Sequence, residues 1–263
     1  MKNILDKIVQ TKREEVVFRN KLLSIEALKE EITQQPQVKS MVKRILQPDL
    51  FGIIAEFKRQ SPSKGILHPN PNVETITKAY AQFASGISVL TDEQYFGAKS
   101  EDFTVGLKSG VPVLRKDFIV EPYQVYETRA MGADVMLLIA ACLTPLEVSE
   151  LSALAKSIGL EVLLELHEEQ ELQHVCSTVD MIGINNRNLK NFHVDIAHSI
   201  RMAEQLPNDA VTIAESGISS VEVWKQLKDA GFKGFLMGEY FMKETDPSEK
   251  FLSFIQEIQA VCA

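Results

Sequence analysis

The chain has 263 residues, 45% of them hydrophobic and 24% charged, with a formal net charge of -8 and pI near 5.3. This is ordinary globular composition, and the acidic balance argues against a nucleic-acid surface, where a basic field is expected. Cys142, Cys176 and Cys262 have no metal-ligand spacing, so no disulfide framework is expected and a reducing cytoplasm is.

The opening segment, "MKNILDKIVQTKREEVVFRN", lacks the continuous apolar core of a signal peptide. Ile4, Leu5, Ile8 and Val9 recur at helical spacing and predict an amphipathic helix. No run is long enough to cross a membrane. Residues 1–47 are read as a helical extension closed off by Gln47-Pro48-Asp49, and residues 48–263 as the domain that follows.

Past residue 50 one pattern returns: a short apolar run, a polar residue or two at its end, then a helical stretch. The runs are "GIIAEF" (52–57), "ISVLT" (87–91), "VPVLRKD" (111–117), "DVMLLI" (134–139), "EVLLEL" (161–166), "MIGINN" (181–186), "VTIAES" (211–216) and "GFLMG" (234–238). Runs without clean alternation are what parallel strands buried on both faces look like. Between them, "VETITKAYAQFASG" (73–86) predicts a helix with Gly86 as its C-cap, and "PYQVYETRAMGAD" (122–134) one that begins on Pro. "TPLEVSELSALAKSIG" (144–159) places Thr144 to cap and Pro145 after it. Such repetition builds a closed barrel or an open doubly wound sheet. Eight units in roughly 210 residues match the barrel, and no G-x-G-x-x-G follows the first strand. The expected fold is therefore α/β, a (β/α)8 TIM barrel with an N-terminal helical extension.

In such a barrel the site lies at the C-terminal ends of the strands. There the chain places Glu56 and Lys58, Lys116, Glu165, Asn185 and Arg187, Glu215 and Ser216, and Gly238. Alternation puts Glu56 and Lys58 on one face with Ile54 and puts Phe57 on the other. Glu215 and Ser216 have opposite parity, so both face inward only if the strand twists at its end. A single Glu or Lys at a strand end is usually solvated. Cations, carboxylates and an amide converging on one rim point to acid–base chemistry instead. Gly217 and Gly238 follow strands seven and eight, where backbone N–H groups often bind phosphate; a Cβ at either is expected to intrude on the anion.

These stretches resemble a known family. "IIAEFKRQSPSKG", "ISVLTDEQYF", "VPVLRKDFIVEPYQVYETRAMGADVMLLI", "LLELHEEQEL", "IGINNRNL", "IAESGI" and "FLMGEYFMK" are similar to indole-3-glycerol phosphate synthase of tryptophan biosynthesis over nearly the whole chain. The resemblance implies a lyase that closes the pyrrole ring of 1-(2-carboxyphenylamino)-1-deoxyribulose 5-phosphate with loss of carbon dioxide and water. It implies Lys116 as general acid and Glu165 as general base, with Glu56, Lys58, Asn185, Glu215 and Ser216 in the catalytic group. Which of Lys58 and Lys116 delivers each proton stays open. Arg187 and Lys58 fall where the substrate's charged ends are held, and Ser61 begins the loop after strand one. Phe96 and Phe118 enclose the anthranilate ring. Gly217, Gly238 and Glu239 match the phosphate loops, Glu239 through its backbone N–H.

Ala98 and Lys99 follow Gly97 where the family commonly has Gly-Ser, and Tyr240 stands where a smaller residue is common. No fused isomerase domain is expected after Ala263. His68, His167, His174, His193 and His198 are scattered and suggest no metal site, with His167, which follows the strand-five Glu, read either as supporting it or as structural. No cofactor is expected. The implied partner is one phosphorylated small molecule, with no nucleic acid or membrane, and the chain is expected as a monomer or weak homodimer. Two alternatives remain. One is a phosphosugar isomerase on the same barrel, of the phosphoribosylanthranilate type. The other is a non-catalytic binder of a phosphorylated ligand.

Overall fold

Each of the eight apolar runs forms a strand, because its residues are buried on both sides. The strands are β1 (Ile53–Phe57), β2 (Gly86–Leu90), β3 (Val113–Lys116), β4 (Val135–Ile139), β5 (Glu161–Leu166), β6 (Met181–Asn185), β7 (Thr212–Glu215) and β8 (Gly234–Met237). All pair in parallel, and β1 bonds both β2 and β8, so the sheet closes in the order β1-β8-β7-β6-β5-β4-β3-β2. The computed structural model describes residues 4–62, 64–188 and 193–262. Ser63 and Leu189 of the quoted motifs, and Met1, Lys2 and Asn3, lie outside the described residues.

Alternation divides the core in two. Ile54, Leu114, Leu137, Leu163, Ile213 and Leu236 fill the inside of the barrel. Ala55, Val89, Leu138, Leu164, Ala214 and Phe235 face the surrounding helices. Those helices include α4 (Val73–Tyr80), α5 (Glu93–Phe96), α6 (Ser100–Leu107), α7 (Pro122–Ala130), α8 (Pro145–Ser157), α9 (Ile196–Ala203), α10 (Val221–Asp229), α11 (Glu239–Met242) and α12 (Pro247–Cys262). Between β5 and β6 the crossover carries a 3-10 turn, Glu169–His174.

Local chemistry sets the boundaries. Thr144 caps α8 as expected, its hydroxyl accepting from Glu147 N at 3.2 Å while the Glu147 carboxylate accepts from Thr144 N at 2.7 Å. The helix expected over 73–86 is shorter. It leaves at Ala81 in right-handed conformation, and Gly86 instead opens β2. A Cβ on Gly86 would overlap the end of Met41, so this glycine serves packing and not a cap.

Three helices precede the barrel: α1 (Ile4–Leu22), α2 (Ile25–Thr33) and α3 (Met41–Ile45). The α2 helix lies on α7, where Leu28 and Val16 pack with Tyr123 and Ala130. α3 seals the N-terminal end of the barrel with Met41 and Ile45. The Glu161 carboxylate, at the start of β5, accepts from Met41 N at 2.8 Å and Val42 N at 3.1 Å, an anion at a helix N-terminus. Burying side chains like these contributes about 1.5–3 kcal/mol each. With that end closed, the open mouth is at the strand C-termini.

Candidate active site

The strand ends surround a cavity of about 260 Å³ lined by Glu56, Lys58, Lys116, Glu165, Asn185, Arg187, Glu215 and Ser216. Inward parity delivers Glu56, Lys116, Glu165 and Asn185 as the alternation requires. Glu215 and Ser216 both line it as well, because the strand stops at Glu215 and Ser216 takes a left-handed φ of 64°. That is the twist their opposite parity demanded.

Lys116 is the hub. Its Nζ lies 2.6 Å from Glu215 Oε2, reaching across the barrel, and 3.1 Å from Glu165 Oε2. Glu165 Oε1 accepts from Asn185 Nδ2 at 2.8 Å and lies 3.0 Å from His167 Nε2. Lys58 pairs with Glu56 at 2.6 Å. Burial disfavours a charged Lys116, but Glu165, Glu215 and Glu56 outweigh it and hold its pKa above the ordinary value. Burial likewise opposes the Glu165 charge, yet Lys116, His167 and Asn185 pull its carboxyl below the usual range. The His167 imidazole gains from the same contact: burial opposes its charge, and Glu165 raises its pKa nonetheless.

Glu215 is driven the other way. Burial first, then the charge of Glu165, push its carboxyl up to about 7 from an ordinary 4.5. Between those pH values the folded protein holds a proton the unfolded chain lacks, so this group's contribution to stability is lost as pH rises. Glu215→Gln removes that titration. Its melting temperature relative to the parent is expected to climb from about pH 5 to about pH 7.5. A difference that stays flat with pH would show Glu215 ionised throughout.

The cavity has two unlike ends. At one, Phe96 and Phe118 stand 6.1 Å apart, centroid to centroid, at 40°. Ile4, Leu5 and Ile8 of α1 add apolar surface to the wall. At the other, Gly217, Gly238 and Glu239 meet Ser219 and Lys243. Glu239 N–H belongs to the start of α11, and the Glu239 carboxylate accepts from Arg187 Nη2 at 2.9 Å. Ser61 sits in a short hairpin after β1, buried on the cavity wall.

The fold adds a protein contact to the reason for each of the two glycines. At Gly217 (φ 69°) a Cβ would overlap Val194 Cγ1. At Gly238 it would lie 2.6 Å from Glu56 Oε1 and 2.8 Å from Glu56 Cβ. Neighbouring protein atoms by themselves exclude a side chain at both positions. Gly238→Ala is therefore expected to displace Glu56 and lower kcat about 100-fold, the usual cost of a misplaced group. An unchanged kcat in the folded variant would show that Glu56 has room to move.

Sequence reasoning also passed over Gly183. It faces inward on β6, and a Cβ there would overlap Glu215 Oε1, so its absence leaves room for that carboxylate. A glycine inside a strand is the signal that could have found it. Among the described residues no group of three or more His, Cys, Asp and Glu is placed to hold a metal ion. No helix among them is long and apolar enough to cross a membrane.

A family model described as indole-3-glycerol phosphate synthase matches residues 5–254. The chain belongs to the indole-3-glycerol phosphate synthase family. An indole-3-glycerol phosphate synthase of Bacteroides thetaiotaomicron is 49% identical over 261 residues, spanning 98% of this chain and 100% of the relative. One from Prochlorococcus marinus is 40% identical, spanning 98% and 90%. Among solved structures, a tryptophan synthase complex from Pyrococcus furiosus contains a chain that superposes with TM-score 0.60 at 13% identity, over 81% of this chain and 99% of that one. Thiamine phosphate pyrophosphorylase of the same organism gives 0.57 at 13%, over 83% and 99%. At such identity the likeness shows the barrel and nothing of the chemistry. In this indole-3-glycerol phosphate synthase family member the cavity is lined by Phe96 and Phe118 and by Gly217, Gly238 and Glu239.

Proposed function

We propose that this rim carries out the family's lyase reaction of tryptophan biosynthesis on 1-(2-carboxyphenylamino)-1-deoxyribulose 5-phosphate, with each proton moved by a named side chain. The observation that carries the reading is the Lys116 ammonium, held between Glu165 and Glu215 at 3.1 and 2.6 Å and open to the cavity. The aromatic carbon bearing the carboxylate is a weak nucleophile, so its attack on the ketone needs an acid at the ketone oxygen. Lys116 gives that proton as the carbon–carbon bond forms, and the ketone becomes a hydroxyl. The bond to the carboxylate then breaks, carbon dioxide leaves, and the electron pair restores the aromatic ring.

Dehydration needs a base and an acid on opposite sides. β5 lies diametrically across the closed barrel from β1, an arrangement that supports Glu165 and Lys58 as the opposed pair. Glu165 takes a proton from the ring methylene, and Lys58 gives one to the departing hydroxyl, which leaves as water. Two protons are given and one is taken, so one is drawn from solvent each turnover. That matches the conversion of a carboxylate into neutral carbon dioxide.

Glu56 and Asn185 hold Lys58 and Glu165, Arg187 holds an anionic end, and Phe96 with Phe118 holds the aryl ring. Gly217, Ser216 and the Glu239 N–H form the phosphate end, where backbone donors suit an anion. Cysteine usage favours the reducing cytoplasm as the place of action: Cys142, Cys176 and Cys262 are all unpaired. Supplying this substrate and following indole fluorescence together with carbon dioxide release tests the reading. No fluorescence, with phosphoribosylanthranilate isomerised instead, would overturn it.

A further inference from the structure

Lys12 sits in "TKREE", where a helix cation ordinarily points into water, yet in the fold it is 2% exposed. A buried ammonium is costly unless it is paired and hydrogen-bonded. Its Nζ lies 2.7 Å from Asp92 Oδ2, 3.2 Å from Asp117 Oδ1 and 3.0 Å from Glu15 Oε2. Asp92 and Asp117 belong to different loops, the first after β2 and the second after β3. Each holds the backbone of a cavity-lining aromatic residue. Asp92 Oδ1 accepts from Tyr95 N at 2.6 Å and Phe96 N at 3.2 Å. Asp117 Oδ1 accepts from Phe118 N at 2.8 Å.

We propose that Lys12 is a positioning residue for aryl recognition: it ties the loops after β2 and β3 together and so sets the spacing of Phe96 and Phe118. This rests on the reading that the ring pair holds the substrate's aryl end. Other contacts support the arrangement. Thr11 Oγ1 meets Tyr95 OH at 3.0 Å, so α1 holds the Phe96 turn twice. Asp117 Oδ2 is occupied by Thr91 at 2.7 Å and Arg115 at 3.0 Å, and Arg115 in turn bonds Glu127 at 2.8 Å. The loop after β3 is thus fixed from the barrel side, and Lys12 references the loop after β2 to it. Burial opposes the Lys12 charge, but Asp117 and Asp92 more than offset it.

The test uses two probes, 2-(methylamino)benzoate for the aryl end and inorganic phosphate for the other, titrated against the whole protein. Lys12→Met is expected to raise the Kd of the benzoate probe at least ~10-fold and leave that of phosphate unchanged, as a loss of ring spacing alone requires. Asp92→Asn keeps the acceptor for Tyr95 N and Phe96 N but presents an amide donor to the ammonium, so it should show the same selective loss. The double variant should be no weaker than the weaker single one, the mark of two residues acting through one contact. Equal weakening of both probes would reduce Lys12 to a general brace and overturn the proposal, as would unchanged benzoate binding. If Lys12→Met does not fold, Asp92→Asn decides by the same criteria. A parent that binds neither probe overturns the site reading itself, and this inference with it.

Discussion

Lys116→Met is expected to abolish turnover while the barrel stays folded and still binds substrate. Methionine keeps the length of the side chain and removes the charge and the proton. Loss of a positioned acid alone costs at least ~100-fold in rate. Here the cost should be larger, because Lys116 is also the main counter-charge of its neighbours. Without it Glu165, Glu215 and Glu56 face one another across the barrel, and Glu165 loses the strongest pull on its pKa. Like charges so close do not all ionise, so the resting variant takes up a proton from solvent before the substrate can offer one to Glu165. Steady-state fluorescence gives kcat, and substrate titration of the inactive variant gives Kd, which should move only a few-fold. Turnover near that of the parent would take Lys116 out of the mechanism.

The second large effect is ordered in time. Glu165→Gln should slow dehydration far more than ring closure. In the resting site the Glu165 carboxyl is held below the usual range, chiefly against burial by Lys116, which makes it a poor base. Once Lys116 has given its proton to the ketone oxygen it is neutral, and that pull disappears. The first step therefore prepares the base for the last. Glutamine can keep Asn185 and His167 as partners on Oε1, but it puts an amide donor where Oε2 faced the ammonium. Rapid-quench sampling should reveal a decarboxylated compound that still carries its hydroxyl. Accumulation of unreacted substrate alone would place Glu165 earlier in the sequence.

Much of this site was legible because a parallel barrel writes its chemistry at predictable positions. "GIIAEF", "EVLLEL" and "VTIAES" each run apolar and then turn acidic, and strand parity aims Glu56, Glu165 and Glu215 at one axis. What escaped depends on contacts distant in sequence. Lys12 reads as a solvated cation until Asp92 and Asp117, which lie 80 and 105 positions further on, close over it. Gly86 reads as a helix end because glycine commonly is one, and only the arrival of Met41 from α3 explains it. Gly238 reads as room for a ligand, and the fold adds that a side chain there would also strike Glu56. In each case the missing partner came from another strand end or from a helix ahead of the barrel, which no local pattern can report.

The 2.9 Å bond between Arg187 and the Glu239 carboxylate has a consequence for selectivity among solutes. A carboxylate from the protein already occupies part of the arginine's donor fork, so the resting cleft contains its own competitor. Any incoming anion has to displace that competitor, and its apparent affinity falls by the fraction of time the pair stays closed. A substrate anchored at its aryl end and by backbone donors recovers the loss from contacts elsewhere. On the proposed reading that Arg187 receives an anionic end of the substrate, the pair would act as a threshold that favours a molecule long enough to reach both ends.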